Sequence, residues 1–326
     1  MPMEYGHVRG VDKQLSRIVQ GTIPLSSDRL EEGFALLDGV YEAGCRTFDT
    51  AQNYGNGDCE RVLGSWIKSR GVRDEVVILG KGAHPIDGHP RVTPEDVTID
   101  LDGSLKRLQV DFIDLYVLHR DNPAVPVGPI VETLNQHKQA GKIGVFGGSN
   151  WAGSRVKEAN DYAAAHGLEG FPISSPNFSL AVQIQAPWEG CLSISGTAGE
   201  ADRAWYAEQG ILIFPWSSLA GGFFSGRFER NNLETFTTYL DKLCVATYCS
   251  EENFKRLDRV KEIAGRNGAS IPQIAMSYVH SQPVEVFALV GCQKASEFVD
   301  NVGALGHKLS GDEVAWLELQ SDERPW

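Results

Sequence analysis

The chain offers no cysteine framework. Its six cysteines, Cys45, Cys59, Cys191, Cys244, Cys249 and Cys292, are scattered without a C-x2-C pair, so a disulfide scaffold is excluded and reduced thiols are expected. Cys244 and Cys249 stand five apart with no histidine between them, which is not a zinc spacing. Positive charge is also short: 30 Lys and Arg against 43 Asp and Glu give a net charge of -13, a field that repels nucleic acid and anionic membranes. Any phosphate-bearing ligand must therefore meet local cations. Long apolar runs are missing too. The longest uncharged stretches, Gly170 to Trp188 and Gln209 to Gly226, are broken by Pro, Gly, Ser, Gln and Asn, and neither reads as a membrane span. The start, Met1-Pro2-Met3-Glu4, has no basic region followed by an apolar one, so no secretory signal is expected and the cytoplasm is the default location. With 42% hydrophobic and 22% charged residues, 35 Gly and 15 Pro, disorder, collagen and coiled coil are excluded.

What the chain does contain is a recurring alternation. Short apolar runs bounded by turn residues predict eight strands: Arg17 to Gly21, Thr47 to Thr50, Val76 to Gly80, Phe112 to Leu118, Lys142 to Gly147, Ile173 to Asn177, Ile211 to Pro215 and Val286 to Gly291. Several, such as Val76-Val77-Ile78-Leu79, are apolar throughout, as strands covered on both faces are. Helices are expected over Ser27 to Ala43, Asp58 to Ser69, Pro94 to Leu108, Gly128 to Ala140, Gly153 to His166, Glu200 to Gln209 and Ser250 to Asn267. Ser27 precedes Leu30, Phe34, Leu37 and Val40 at helical spacing, and Thr93-Pro94 puts a capping hydroxyl before a first-turn proline. No linker or charge block divides the chain, so the α/β pattern predicts a single (β/α)8 TIM barrel over 1–326; two Rossmann halves are the alternative. Two long irregular stretches, Ala181 to Gly199 and Ser217 to Tyr248, follow the sixth and seventh strands, and in a barrel such loops lie on the C-terminal face where sites are built.

Four polar residues stand at or just beyond consecutive strand ends: Asp49, Tyr54, Lys81 and His119. Singly, each has a bland reading as a cap, a solvated cation or a hydrogen-bonded core residue. Together they form a proton-transfer set. A nearby ammonium favours phenolate and is expected to lower the tyrosine pKa, a carboxylate keeps a buried lysine charged, and a histidine orients the substrate oxygen.

Thr47-Phe48-Asp49-Thr50-Ala51-Gln52-Asn53-Tyr54-Gly55, followed by Glu60 and Leu63-Gly64, resembles the signature of the aldo-keto reductase family. Lys81, Leu118-His119-Arg120, Gly147-Gly148-Ser149-Asn150-Trp151, Leu219-Ala220-Gly221-Gly222 and Gly291 to Asn301 agree in order and spacing. The resemblance implies a barrel that binds an extended nicotinamide cofactor without a Rossmann fold, and no G-x-G-x-x-G follows a predicted strand. It implies that Tyr54 is the general acid or base, Lys81 its activator, Asp49 the partner of Lys81 and His119 the orienting group. It further implies that Ser149 and Asn150 hold the carboxamide, that Trp216 lies against the nicotinamide, with a core indole as the alternative, and that Leu219 and Gly221 bind the cofactor; Arg227 reaches the pyrophosphate or stands as a solvated charge pair. Ser175 stands where many members carry Gln. At the adenosine end, Gly291, Gln293, Lys294, Glu297 and Asn301 occupy a segment that commonly supplies Arg to a 2′-phosphate. Here a carboxylate sits beside one ammonium, so use of both NAD and NADP with a lean toward NAD is expected.

Arg120, Trp151 and Trp188, with the C-terminal Arg324-Pro325-Trp326, are candidates to line a substrate pocket. Their mixture of polar groups and flat apolar faces suits sugars and other polyols, and aromatic aldehydes also fit. A small carbonyl or alcohol is the expected partner, with no nucleic acid, membrane or metal, and the oligomeric state left open. Two other functions use the same fold: a cofactor-sensing regulatory subunit, and a metal-dependent hydrolase, for which His119 is the only histidine at a strand end.

Overall fold

In the computed structural model, which describes residues 2–326, eight parallel strands succeed one another in the sheet: β1 (Ile18–Gly21), β2 (Thr47–Asp49), β3 (Val77–Gly82), β4 (Ile113–Leu118), β5 (Ile143–Ser149), β6 (Ile173–Ser175), β7 (Leu212–Ile213) and β8 (Ala288–Val290). β8 pairs with β1, and each later strand with the next. Between β7 and β8, Ile213 N–H donates to Glu285 O at 3.0 Å and Leu289 N–H to Pro215 O at 3.0 Å, which brings the sheet round on itself as a (β/α)8 TIM barrel. All eight strands fall within a residue or two of the stretches expected for them, except that β3 and β5 run two residues further and the others are shorter.

Both faces of the sheet are buried. Val19, Val77, Leu79, Leu115, Val117, Val145, Ile173, Phe214 and Leu289 fill the interior, while Ile18, Phe48, Ile78, Tyr116, Leu118 and Phe146 pack outward against helices. The unbroken apolar runs follow from this double cover. An antiparallel pair, Tyr5–Gly6 with Leu15–Ser16, precedes β1 and contributes Val8 and Leu15 to the interior cluster at its N-terminal end.

Eleven α-helices surround the strands among the described residues: α1 (Leu30–Glu42), α2 (Asp58–Arg70), α3 (Pro94–Leu108), α4 (Val127–Gln139), α5 (Gly153–His166), α6 (Glu200–Glu208), α7 (Tyr239–Tyr248), α8 (Glu251–Asn267), α9 (Ile271–His280), α10 (Ala295–Gly303) and α11 (Gly311–Leu317). Thr93 caps α3 by accepting from Asp96 N–H, with Pro94 in the first turn. Ser26 rather than Ser27 caps the entry to α1, through a short 3-10 turn. The stretch Ser217 to Tyr248 is not irregular to its end, because Thr238 caps α7 within it. Helices α9, α10 and α11 were also not expected. Ser270 with Gln273 and Ser310 with Glu313 form capping boxes at α9 and α11, a pattern visible in the sequence. No helix among the described residues is long and apolar enough to cross a membrane.

Candidate active site

Side chains alternate across a strand, so the interior set fixes what tops the barrel. Beyond Val77 and Leu79 on β3 the next inward position is Lys81; beyond Leu115 and Val117 on β4 it is His119; beyond Val145 on β5 come Gly147 and Ser149. By the same count Asp49, Ser175, Trp216 and Gly291 head β2, β6, β7 and β8. Position 147 must be small: a Cβ there would stand 2.0 Å from Ile173 O on the neighbouring strand.

The four expected chemical residues come together. Lys81 and Asp49 are 1% and 4% exposed, and the Lys81 ammonium donates to the Asp49 carboxylate. It also donates to the Tyr54 hydroxyl at 3.2 Å, Tyr54 being partly buried in a 3-10 turn over Tyr54–Gly57. His119 is buried with its ring edge-on to Tyr54, centroids 5.8 Å apart. Burial works against the Lys81 charge, but the attraction of Asp49 and Tyr54 and the hydrogen bonds to both outweigh it and hold the pKa above its ordinary value. Burial likewise raises Asp49, opposed by Lys81.

The Tyr54 pKa does not fall as expected. Burial raises it, and the opposing pull of Lys81 does not overcome that. The phenol is therefore protonated at neutral pH. Burial drives His119 well below the ordinary histidine range, and Lys81, Arg120 and His84 push it the same way, so its ring is uncharged. Its Nδ1 is buried with no partner.

Asn150 lies at φ 60, a left-handed conformation that asparagine tolerates better than most residues. Its amide donates to His119 O at 3.1 Å and Ser149 Oγ at 3.2 Å, and its Oδ1 accepts from Leu192 N–H and the Trp216 indole, each at 3.1 Å. Trp216 is partly buried on the interior cluster. Ser149 Oγ donates to Ser175 O at 2.8 Å, and Ser175 Oγ to Phe214 O at 2.7 Å. After β7 the backbone turns through positive φ at Ser217, Ala220, Gly221 and Gly222, with Leu219 among them; Arg227 is exposed and paired with Asp241 at 3.0 Å.

Gly291, Gln293, Lys294 and Glu297 form an exposed run at the entry to α10. The Glu297 carboxylate accepts from Gln293 N–H at 2.8 Å and Lys294 N–H at 3.3 Å, capping the helix. Asn301 is buried; its amide donates to Cys292 Sγ at 3.3 Å and its Oδ1 has no partner.

The substrate expectations need correction. Trp151 is fully buried, its ring 5.3 Å from Phe171 and its indole N–H on Arg120 O at 3.1 Å. It is a core residue because the turn at Asn150 sends the next side chain into the helical layer. Arg120 is buried as well, donating to His119 O at 2.8 Å, Glu189 O at 3.1 Å and Cys191 Sγ at 3.2 Å; it ties the loop after β6 to the end of β4. Trp326 packs on Trp316 and Arg266, among helices α8 and α11. Trp188 is exposed, 6.3 Å from Trp216 between ring centroids, with its N–H on Tyr239 OH at 2.9 Å.

One neighbour of the set escaped sequence reasoning. His84, three residues past Lys81, is partly buried with its ring centroid 5.0 Å from that of His119. Its only signal was its closeness in sequence to Lys81. Among the described residues, no three His, Cys, Asp or Glu side chains gather as a metal site.

The family model described as Aldo/keto reductase family matches residues 17–319. The chain is 28% identical over 310 residues to a Saccharomyces cerevisiae protein named "Probable aryl-alcohol dehydrogenase", covering 90% of this chain and 89% of that one. It is 26% identical to an Oryza sativa protein named "Probable voltage-gated potassium channel subunit beta", covering 93% and 91%. It is 27% identical to a Schizosaccharomyces pombe aldo-keto reductase whose name carries NADP(+), covering 90% and 83%.

Proposed function

Because the chain belongs to the aldo/keto reductase family, we propose that it is an NAD(P)-dependent oxidoreductase acting on a carbonyl or alcohol, with Tyr54 as general acid or base. The observation that carries this reading is the buried Lys81 ammonium held between Asp49 and Tyr54, with an uncharged His119 edge-on to the phenol. For reduction, Tyr54 gives its proton to the substrate oxygen, and Lys81 stabilises the phenolate left behind. Asp49 keeps Lys81 charged. His119 donates from Nε2, since Nδ1 is sealed inside, and a buried lone pair is left unpartnered more readily than a buried N–H. In oxidation the same groups act in reverse.

The chain suits an extended dinucleotide. Asn301 carries a buried acceptor without a partner, and the positive-φ run after β7 is of the kind that brings backbone N–H groups to a phosphate. Ser149 and Ser175 each keep a hydroxyl lone pair that would accept from the carboxamide NH2, Asn150 would fix Ser149 in place, and Trp216 would cover the nicotinamide. Leu219, Gly221 and Arg227 would line the pyrophosphate, and Gly291, Gln293, Lys294, Glu297 and Asn301 the adenosine. When bound, the cofactor supplies or takes up the hydride. Both NAD and NADP are accepted, with a lean toward NAD, because no arginine stands in the segment from Gly291 to Asn301 and Glu297 offsets Lys294. The chain acts as one cytoplasmic barrel domain on a small carbonyl or alcohol.

Tyr54→Phe tests the reading. Turnover should fall about 10²- to 10⁴-fold while titration shows cofactor binding unchanged, because only proton transfer needs the phenol oxygen. Turnover close to wild type would remove Tyr54 from the mechanism.

A further inference from the structure

We infer that His84 is a specificity-determining residue that accepts a hydrogen bond from a hydroxyl on the carbon next to the reacting carbonyl, so that the substrates are α-hydroxy carbonyls and the vicinal diols they yield. This rests on the oxidoreductase reading above and narrows it to a substrate class.

The tautomer of His84 follows from its neighbour. Its Nδ1 lies 2.9 Å from Pro85 O, and a carbonyl oxygen only accepts, so Nδ1 carries the ring proton and Nε2 presents a lone pair. Among the described residues that Nε2 makes no hydrogen bond, and it is not one of the sealed, unpartnered atoms. It is an open acceptor. Burial keeps the ring below the ordinary histidine range, and Arg120 acts in the same sense against the bond to Pro85. The ring therefore stays neutral.

His119 offers the opposite polarity beside it. Its Nδ1 is sealed, so Nε2 is the nitrogen that meets a substrate, and the two imidazole centroids are 5.0 Å apart at 66°. A donor for a carbonyl oxygen thus sits next to an acceptor for a hydroxyl. One C–C bond separates the carbons that bear vicinal oxygens, and ring centroids 5.0 Å apart put both imidazoles within the span of one small molecule. A plain aldehyde leaves the His84 lone pair without a donor. A carboxylate or phosphate at that carbon turns negative charge toward it, and the nearby Arg120 guanidinium is committed to His119 O, Glu189 O and Cys191 Sγ.

The test compares glyceraldehyde with propanal, and 2-hydroxyacetophenone with acetophenone, in wild type, His84→Phe and His84→Gln. Phenylalanine keeps a ring and removes the acceptor; glutamine restores one. The preference for the hydroxylated member, as a ratio of kcat/KM, should fall about three- to tenfold in His84→Phe, the range of one neutral hydrogen bond. The loss should sit in KM, and His84→Gln should recover most of it. If His84→Phe does not fold, His84→Ala carries the same comparison. A ratio that ignores residue 84 while wild type reduces the compounds overturns the inference and leaves the oxidoreductase reading standing. Failure of wild type to reduce any of the four with either cofactor takes both down.

Discussion

Replacing Lys81 with methionine strands the Asp49 carboxylate in a site only 4% exposed. Breaking a buried pair from one side costs about 3–5 kcal/mol, and here a second route caps the loss. Asp49 can take a proton in the folded variant. Relative to an unfolded aspartate with a pKa near 3.9, staying protonated at pH 7 costs about 4 kcal/mol, and at pH 5 about 1.5 kcal/mol. The sign follows from a folded pKa raised above the unfolded one: stability is fully present below the unfolded pKa and is lost as pH rises toward the folded value. Urea melts of wild type and Lys81→Met should therefore differ by about 4 kcal/mol at pH 7, and by up to about 2.7 kcal/mol less at pH 5, the full amount where Lys81 keeps wild-type Asp49 ionised over that range. Histidines that titrate alike in both proteins cancel in the difference. Adding Asp49→Asn to Lys81→Met should recover most of the stability and flatten the pH dependence. A gap independent of pH, or a double variant no better than the single one, would refute an Asp49 charge held by Lys81.

Trp216, if the nicotinamide lies against it, should lose fluorescence when cofactor binds, and Trp216→Phe should lose most of that quenching; equal quenching in the variant assigns the signal to another indole. Glu297→Arg should shift the ratio of dissociation constants at least about tenfold toward NADP, with Glu297→Gln as the control that keeps an acceptor at the α10 cap. A ratio unmoved by arginine, or wild-type NADP binding more than about tenfold tighter than NAD, removes Glu297 from cofactor choice. Because His119 titrates well below the ordinary histidine range, kcat/KM for reduction should show no acid limb near pH 6.5, and a limb there that vanishes in His119→Gln contradicts a neutral imidazole. The unfolded chain takes a proton on this residue where the folded chain does not, so stability falls with pH below about 6.5, a slope that His119→Gln should reduce.

The barrel was readable because its strands are buried on both faces and announce themselves as unbroken apolar runs. Lys81 and His119 were readable because each interrupts such a run at its C-terminal end. What escaped was set by partners distant in sequence. Helices α9 and α11 carry plain capping boxes, but α9 is buried continuously from Ile274 to Val279 and α11 buries only Trp316 and Leu317, so neither shows a one-face stripe; α7 begins with exposed Tyr239 and Leu240, which blurs its periodicity. Trp151 looked like a flat pocket wall because the turn at Asn150 that sends it inward is a matter of φ rather than residue type. Arg120 looked like a free cation, yet its partners Glu189 and Cys191 lie some seventy positions on. His84 carries no local signal, since nothing in its neighbourhood shows that the chain after β3 folds back beside His119. The sequence places an ammonium beside Tyr54 but does not show the burial that outweighs it.

The four bonds of the Asn150 amide have a consequence for how such a barrel can be diversified. Both hydrogens and both lone pairs of that group are in use, on His119 O, Ser149 Oγ, Leu192 N–H and the Trp216 indole. The loops that crown β4, β6 and β7 are therefore not independent modules. A graft that replaces 181–199 to admit a new substrate must present a backbone N–H where Leu192 does and a carbonyl to Arg120 where Glu189 does. A shift in register through Leu192 would loosen the Trp216 indole and the turn beneath His119 together.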